Sequence, residues 1–402
     1  MDPVKDELSE VEKDIFEKIA NNDVNGLKNA LLQQKMKVDI YDENGMTPLQ
    51  HAAYKGNKEI VQMLLDQGAD VNSGNHEFGY TALHLCVLSG NAELCHLLLM
   101  AGAKSQTTNS VGRTASQMAA FVGNHACVAV INNHVPKSDI DYYTIPQGLE
   151  TEPKLPPILA VPFHKFVMQV NVHPVRVALN LQKAPLLVEN LGKVQKVLEL
   201  MSEREMKRGI ETNEVMAFKF HYLAFIAAEV ARCRSRQLAA QQEKHKDGGY
   251  EKKEGEERRS DPVELFARKM LKCGRSGDGN TPEFQESFLR ECVREFPYRE
   301  CTVFRQMVMS LAQQDSPQAL SIIAAAINGQ RGFADTSTSF CSTCGEEGAP
   351  KKCSKCKAVQ YCDRECQRLH WFMHKKACAR LSQAPNKTLS LPTSKMENLK
   401  VN

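Results

Sequence analysis

The stretch "GMTPLQHAAYKGNKEIVQMLLDQGADVN", residues 45–72, decides the fold of the N-terminal third because it recurs along the chain. Two further copies begin 34 and 33 residues later, at Gly79 and Gly112. In each copy the apolar residues are spaced three or four positions apart, which predicts two short helices. One such unit cannot bury its own apolar faces, so the copies are expected to stack.

The repeat resembles the ankyrin repeat, a 33-residue unit that begins with T-P-L-H-x-A. An earlier stretch, residues 11–42, keeps the helical periodicity but has Asn22-Asp23 where the other copies have Gly-Asn. The resemblance implies about four ankyrin repeats over residues 10–140, of which the first and last are degenerate. The glycines at the helix ends are expected to adopt left-handed backbone conformations.

Apolar side chains recur at two equivalent positions of these repeats. Tyr54, Leu88 and Phe121 come just after the alanines of the first helix in successive copies, and Phe78 precedes the glycine at one turn tip. Two interpretations are open: a stripe that binds a protein partner, or contacts with the next unit and the following helices. His84 stands at the histidine position of the repeat itself, so we expect a structural role for it and no metal.

The middle of the chain predicts two helical segments, residues 150–242 and 262–330, which are expected to pack together as one module. A charged stretch between them, residues 243–261, is expected to be a linker, and residues 383–402 a disordered tail. The proline-rich start, residues 150–162, is expected to be extended. Neither segment contains a sequence motif of a known catalytic site.

A cluster of metal ligands lies near the C-terminus, where seven of the 14 cysteines occur between residues 341 and 378. With one histidine they form four closely spaced pairs: Cys341/Cys344, Cys353/Cys356, Cys362/Cys366 and His374/Cys378. Eight ligands fill two tetrahedral zinc sites and leave no open position for a substrate, so both zinc ions are expected to be structural. His370 is left over and is expected to pack or form hydrogen bonds. Spacing alone leaves open whether the pairs combine sequentially or in alternation.

Together with Tyr361, Gln367, Trp371 and "HKKAC" at residues 374–378, this spacing resembles the MYND finger. The resemblance implies an interleaved arrangement, with Cys341, Cys344, Cys362 and Cys366 on one zinc and Cys353, Cys356, His374 and Cys378 on the other. It also implies binding of short proline-rich peptides through Gln367 and Trp371. Trp371 has a second interpretation, as part of the small core of the finger.

The net charge and the hydropathy pattern argue against nucleic acid and membranes as partners. The net charge is only +3, which does not predict binding to nucleic acid. The N-terminus lacks an apolar signal segment, and the longest apolar stretch, residues 215–231, is interrupted by charged residues. We therefore expect a soluble cytoplasmic protein that does not insert into membranes.

The combination of modules resembles a family of proteins that join ankyrin repeats to a MYND finger. That resemblance implies a mainly α protein with a repeat solenoid, a helical middle and a small two-zinc finger. It further implies a non-enzymatic adaptor that delivers signalling proteins to the cilium. A MYND finger is also consistent with two other functions: a transcriptional corepressor adaptor, and a lysine methyltransferase of the SET type. The SET signature ends in Pro-Asn, which the nearest string, "GNHACVAV" at residues 123–130, lacks.

Overall fold

The computed structural model confirms a mainly α chain, in which the described residues are 8–34, 38–209, 212–246, 261–273, 282–329 and 339–383. The predicted tail, from residue 384 onward, lies outside these ranges, as do residues 247–260 of the predicted linker. The first four residues of that linker are helical instead, because the preceding helix continues to Lys246.

Eight helices form four antiparallel pairs in the N-terminal third, which we call the ankyrin array: α1 (Glu10–Ala20), α2 (Val24–Gln34), α3 (Pro48–Lys55), α4 (Lys58–Asp66), α5 (Ala82–Ser89), α6 (Ala92–Met100), α7 (Ala115–Val122) and α8 (His125–Asn132). The first helices of successive pairs pack on one another, and so do the second helices. Their apolar faces share one continuous core, which confirms the predicted stacking.

Local sequence explains where these helices begin and end. Thr47 and Thr114 each form a reciprocal capping box with the glutamine three positions later. Gly56, Gly90 and Gly123 end the first helices with φ values of 75°, 72° and 83°. A left-handed backbone at this point favours glycine, because a Cβ atom there is sterically disfavoured.

Within the described residues ten α-helices follow, and we call them the helical module: α9 (Lys137–Asp141), α10 (Ala160–Val167), α11 (Pro174–Gln182), α12 (Pro185–Glu189), α13 (Leu191–Met206), α14 (Glu214–Lys246), α15 (Pro262–Leu271), α16 (Glu283–Arg294), α17 (Thr302–Leu311) and α18 (Ala319–Asn328). The long helix α14 contacts helices from both sides of the predicted linker, including α11, α13 and α15. The two predicted segments therefore share one core.

The expectation of an extended proline-rich segment over residues 150–162 was wrong in its second half. Pro157–Leu159 forms a 3-10 turn that leads directly into α10. Proline is tolerated at the first position of such a turn, because the N–H that it lacks would have no partner there. Leu155 and Leu159 are fully buried in the core of the helical module, and this burial fixes the segment in place.

The C-terminal finger consists of an antiparallel hairpin, β1 (Lys351–Lys352) and β2 (Gln360–Tyr361), followed by helix α19 (Arg364–Gln383). Helix α19 packs on α15, while α18 packs on α8. The helical module thus lies between the ankyrin array and the finger, and its core continues into the cysteine-rich finger. Among the described helices, none is both long enough and apolar enough to cross a membrane.

Candidate metal centres and interaction surfaces

The structure gathers the eight predicted ligands into two groups, in each of which all ligand atoms lie within 4.8 Å of one another. The first group contains Cys341, Cys344, Cys362 and Cys366, and the second contains Cys353, Cys356, His374 and Cys378. This is the interleaved arrangement, in which each group takes one pair from the loops and one pair from around α19.

The distances within each group fit a tetrahedral zinc ion. Zinc–sulfur bonds of about 2.3 Å at tetrahedral angles separate two sulfur atoms by about 3.8 Å. The Sγ atom of Cys344 lies 3.6 Å from that of Cys362 and 3.8 Å from that of Cys366. In the second group the Sγ atoms of Cys353 and Cys378 are 3.7 Å apart. These donor sets fit two structural zinc ions without a vacant position.

Hydrogen bonds between side chains and the backbone hold the first group in place. Asp363 directly precedes α19, and its Oδ1 accepts from the Cys366 amide at 2.8 Å. The buried Thr343 hydroxyl donates to the Cys366 carbonyl at 2.7 Å. Together these bonds fix the turn that carries Cys341 and Cys344 against the first turn of the helix.

The second group depends on a tight turn and on helical spacing. The Lys357 amide donates to the Cys353 carbonyl at 2.9 Å, and Lys357 has a φ of 56°. His374 and Cys378 lie one turn apart on α19, so their donor atoms share one helix face. Nε2 of His374 is 3.4 Å from Sγ of Cys356, close to the separation of about 3.6 Å expected in a zinc site.

The structure places His370 outside both ligand groups. Its Nδ1 lies 3.1 Å from the Tyr361 hydroxyl, and its ring stacks on that of His374 at 5.8 Å. Burial lowers the pKa of His370 to about 4, so the ring is neutral near pH 7. His370 thus has the packing and hydrogen-bonding role predicted for it.

The two predicted peptide contacts lie one turn apart on α19. Gln367 is half-buried, whereas the Trp371 side chain is 41% exposed. The Trp371 ring meets the His374 ring edge-on at 6.1 Å, so one side of the indole packs on the finger and the rest faces solvent. The packing interpretation of Trp371 thus describes one side of its ring, and the peptide-binding interpretation stays a prediction.

On the ankyrin array, all four predicted surface residues are exposed: Tyr54, Phe78, Leu88 and Phe121. Phe121 is 75% exposed, and the guanidinium of Arg113 lies 4.7 Å from the centre of its ring. His84 is buried and takes part in a capping box with Thr81, which gives it the expected structural role. The "GNHACVAV" string is the cap and first turns of α8.

The sequence did not indicate that the helical module contacts the finger. Asn171, His173 and Arg176 lie against the first ligand group, although more than 160 residues separate them from it in sequence. Arg368 of α19 also forms a two-pronged ion pair with Glu264 of α15, at 3.0 and 2.9 Å. The one local signal is Arg176 itself, a cation within the apolar run "PVRVALNL".

Comparison with known proteins agrees with these modules. A family model described as ankyrin repeats matches three copies within residues 16–109, and one described as the MYND finger matches residues 341–378. Both are non-catalytic interaction modules, which indicates protein partners. SH3 and multiple ankyrin repeat domains protein 2 of Homo sapiens is 30% identical over 132 residues, 33% of this chain but only 7% of that protein.

One relative covers nearly the whole molecule. Dauer abnormal formation protein 25 of Caenorhabditis elegans is 32% identical over 371 residues, which span 91% of this chain and 89% of that protein. A match of this length includes the helical module between the repeats and the finger. The chain therefore belongs to the family of Dauer abnormal formation protein 25, which joins ankyrin repeats to a MYND finger.

Proposed function

We propose that this chain is a non-enzymatic adaptor that holds two protein ligands at separate surfaces. One is the apolar stripe of the ankyrin array formed by Tyr54, Phe78, Leu88 and Phe121. The other is the edge of the finger around Gln367 and Trp371, where a short proline-rich peptide would bind. The observation that carries the proposal is the exposed Trp371 beside a saturated zinc site, because such a site can shape a surface but has no position for a substrate.

Physical chemistry supports protein ligands at both surfaces. Exposed aromatic side chains on rigid elements supply much of the free energy of protein binding at little cost in conformational entropy. Nucleic acid is a disfavoured ligand of the finger because its net charge is small. Residues 341–378 contain eight Lys and Arg and four Asp and Glu, and the seven thiolates and two zinc ions reduce the net charge to about +1.

The cellular part of the proposal rests on resemblance. The order of the modules resembles that of ankyrin repeat and MYND domain-containing protein 2, and the family resemblance implies delivery of signalling proteins to the cilium. We therefore propose a cytoplasmic adaptor that accompanies such cargo to the cilium. Imaging of the tagged full chain in ciliated cells tests this, because a purely nuclear signal would favour the corepressor alternative instead.

The peptide site can be tested with fluorescence anisotropy, using a labelled proline-rich peptide and the full zinc-loaded chain. Trp371→Ala and Gln367→Ala are expected to weaken binding, the tryptophan variant by at least about tenfold. Phe372→Ala is the matched control: Phe372 is 40% exposed and adjacent on α19, but it faces Arg268 of the helical module. Equal losses for Trp371→Ala and Phe372→Ala would count against the proposed site.

The array surface needs a separate test. Proximity labelling with the full chain is expected to lose a set of cargo proteins in Phe121→Ala and Tyr54→Ala, and to keep those that depend on the finger. Met100→Ala is the control, because Met100 is also exposed but lies at the end of α6, outside the stripe. If the stripe variants label the same proteins as the unchanged chain, the stripe is not the binding surface.

A further inference from the structure

The first ligand group of the finger lies against the helical module. Asn171 Nδ2 donates to the Cys344 carbonyl at 3.2 Å and to Glu346 Oε2 at 2.9 Å. Gly345, with φ of +65°, approaches so closely that a Cβ atom there would lie 3.1 Å from Cδ2 of His173. The loop at residues 344–346, which follows the Cys341/Cys344 pair, is therefore fitted to the surface formed by residues 171–173.

A neighbouring side chain of the helical module contacts a zinc ligand directly. Nη2 of Arg176, on the first turn of α11, donates to Sγ of Cys362 at 3.2 Å. Nε of the same guanidinium lies 2.9 Å from Glu346 Oε2, and the side chain is only 12% exposed. This cation is therefore held between a carboxylate and a thiolate, with little access to water.

The charges of the two zinc sites explain why the cation lies at this one. Four thiolates and one Zn²⁺ carry a net charge of −2, whereas three thiolates, one neutral imidazole and one Zn²⁺ carry −1. Exposed lysines flank the second site in sequence, including Lys352 and Lys375. The first site has the larger charge, and it packs against protein, so it has the greater need of a buried positive partner.

We propose that Arg176 is a positioning residue of the first zinc site, so that the finger and the helical module hold this zinc ion jointly. The guanidinium neutralises part of the charge on the four-sulfur site and orients the Cys362 thiolate toward the metal. The finger of this protein is then not a structurally independent domain. Loss of the first zinc ion would leave Arg176 buried without its full set of partners and would loosen the contact between the two modules.

Zinc release from the purified full chain tests this. The chain is loaded with two equivalents of zinc and mixed with the chromogenic chelator 4-(2-pyridylazo)resorcinol. In Arg176→Met one of the two equivalents is expected to bind about 10- to 100-fold more weakly, the range typical for partners of metal ligands, while the other is unchanged. Cadmium-113 NMR of the cadmium-loaded chain assigns the loss, because four-sulfur sites resonate apart from sites with three sulfurs and one nitrogen.

Arg368→Met is the matched control. It removes an ion pair between the same two modules, with Glu264, but touches no zinc ligand. Its zinc release is expected to follow that of the unchanged chain. Release from Arg176→Met at the unchanged rate would overturn the proposal. So would an equal weakening in Arg368→Met, since docking alone would then explain the effect.

Arg176→Lys keeps the charge but cannot bridge the carboxylate and the thiolate in the same way. It is expected to weaken the four-sulfur site selectively, by less than Arg176→Met does. If Arg176→Met does not fold, this variant decides the matter: a selective loss supports the role of Arg176, and unchanged affinity at both sites refutes it.

Discussion

The Asn133 side chain donates a hydrogen bond of 2.7 Å to Oδ1 of Asn328, a residue 195 positions away in sequence. Asn133 caps the C-terminus of α8 of the ankyrin array, and Asn328 is the last residue of α18 of the helical module. The Asn328 amide in turn donates to the Val170 carbonyl at 3.0 Å, next to the residues that contact the first zinc site. A short series of contacts thus runs from the array to the finger.

The first prediction concerns this junction. Asn133→Ala and Asn328→Ala are each expected to lower the free energy of unfolding by about 1–2 kcal/mol, because a buried amide loses its partner. The double variant is expected to lose less stability than the sum of the losses in the two single variants, with a coupling free energy of about 1 kcal/mol. Denaturant titration of the four chains in the double-mutant cycle measures this coupling.

The matched control for the junction is the ion pair of Lys58 with Glu93, at 2.9 Å between two adjacent repeats. Both side chains are exposed, so water and salt screen the pair and no measurable coupling is expected between them. Strict additivity of Asn133→Ala and Asn328→Ala would mean that the two modules are not joined through these amides.

The second prediction concerns His84. Its Nδ1 lies 2.9 Å from the Thr81 hydroxyl, and its Nε2 lies 3.1 Å from the carbonyl oxygen of Arg113 in the next repeat. His84→Ala is expected to lower the free energy of unfolding by about 1–3 kcal/mol, because the Thr81 hydroxyl and the Arg113 carbonyl lose their hydrogen-bond partner. His84→Gln is expected to lower the free energy of unfolding much less. Gln50, at the same position of the preceding repeat, shows that a glutamine there can donate to backbone carbonyls, those of Ser73 and Tyr80.

Histidine at this position also predicts acid sensitivity. Burial lowers the pKa of His84, although the Arg113 carbonyl partly opposes the shift. Below the ordinary value of 6.5 the unfolded chain therefore binds a proton that the folded chain resists, and stability falls as the pH falls. His84→Gln is expected to reduce the loss of stability of the array between pH 6.5 and 5. Identical pH profiles for both chains would contradict this.

The array and the zinc ligands could be predicted because their signals are local. Thr47 and Gly56 mark the ends of one helix, and the pattern recurs in register in the next copies. Likewise, each cysteine pair is short enough to close on one ion whatever surrounds it. In both cases the residues that carry the signal lie within a few positions of one another.

Contacts between modules could not be predicted, because they join residues that are far apart in the chain. The stretch around Arg176 shows a cation within an apolar run, but it does not identify the thiolate 186 residues later that this cation contacts. The proline-rich segment shows the same limit: its composition favours an extended chain, but burial of Leu155 and Leu159 selects a turn and a helix. Tertiary packing overrides local preference at such positions.

The third prediction concerns the second zinc site. Cys353→Ser is expected to reduce bound zinc from two equivalents to about one, because a hydroxyl is a poor replacement for a thiolate. The four-sulfur site, which shares no ligand with the second site, is expected to keep its metal. Elemental analysis of the purified full chain measures the zinc content.

Cys273→Ser is the control for cysteine replacement in general, since Cys273 is half-buried and belongs to neither ligand group. It is expected to retain two equivalents of zinc. If Cys353→Ser loses both equivalents, the two sites do not load independently, and the division of ligands into two separate sites would have to be revised.

The fourth prediction concerns Lys219, which lies on α14 in the core of the helical module. Its side chain is fully buried, and no described residue offers its Nζ atom a hydrogen-bond partner. Burial lowers the pKa of Lys219 from 10.5 to about 7. A buried charge without a partner destabilises the folded state, so Lys219→Met is expected to raise the free energy of unfolding at pH 7 by about 2–5 kcal/mol.

The pH dependence of this gain tests its cause. Between pH 7 and 10.5 the unfolded chain holds a proton on Lys219 that the folded chain has lost, so raising the pH removes the penalty in the unchanged chain. The advantage of Lys219→Met should therefore be largest near pH 7 and should shrink as the pH approaches 10. Denaturant titrations of both chains across this range measure the difference.

Lys269→Met provides the contrast, because Lys269 forms an ion pair of 2.8 Å with the buried Glu229 carboxylate. Removing this lysine leaves a buried anion with less compensation, so the variant is expected to be less stable than the unchanged chain. Opposite signs for the two lysine substitutions would show that pairing, and not burial alone, decides the effect. A loss of stability in Lys219→Met would instead mean that its Nζ atom has a stabilising partner in solution.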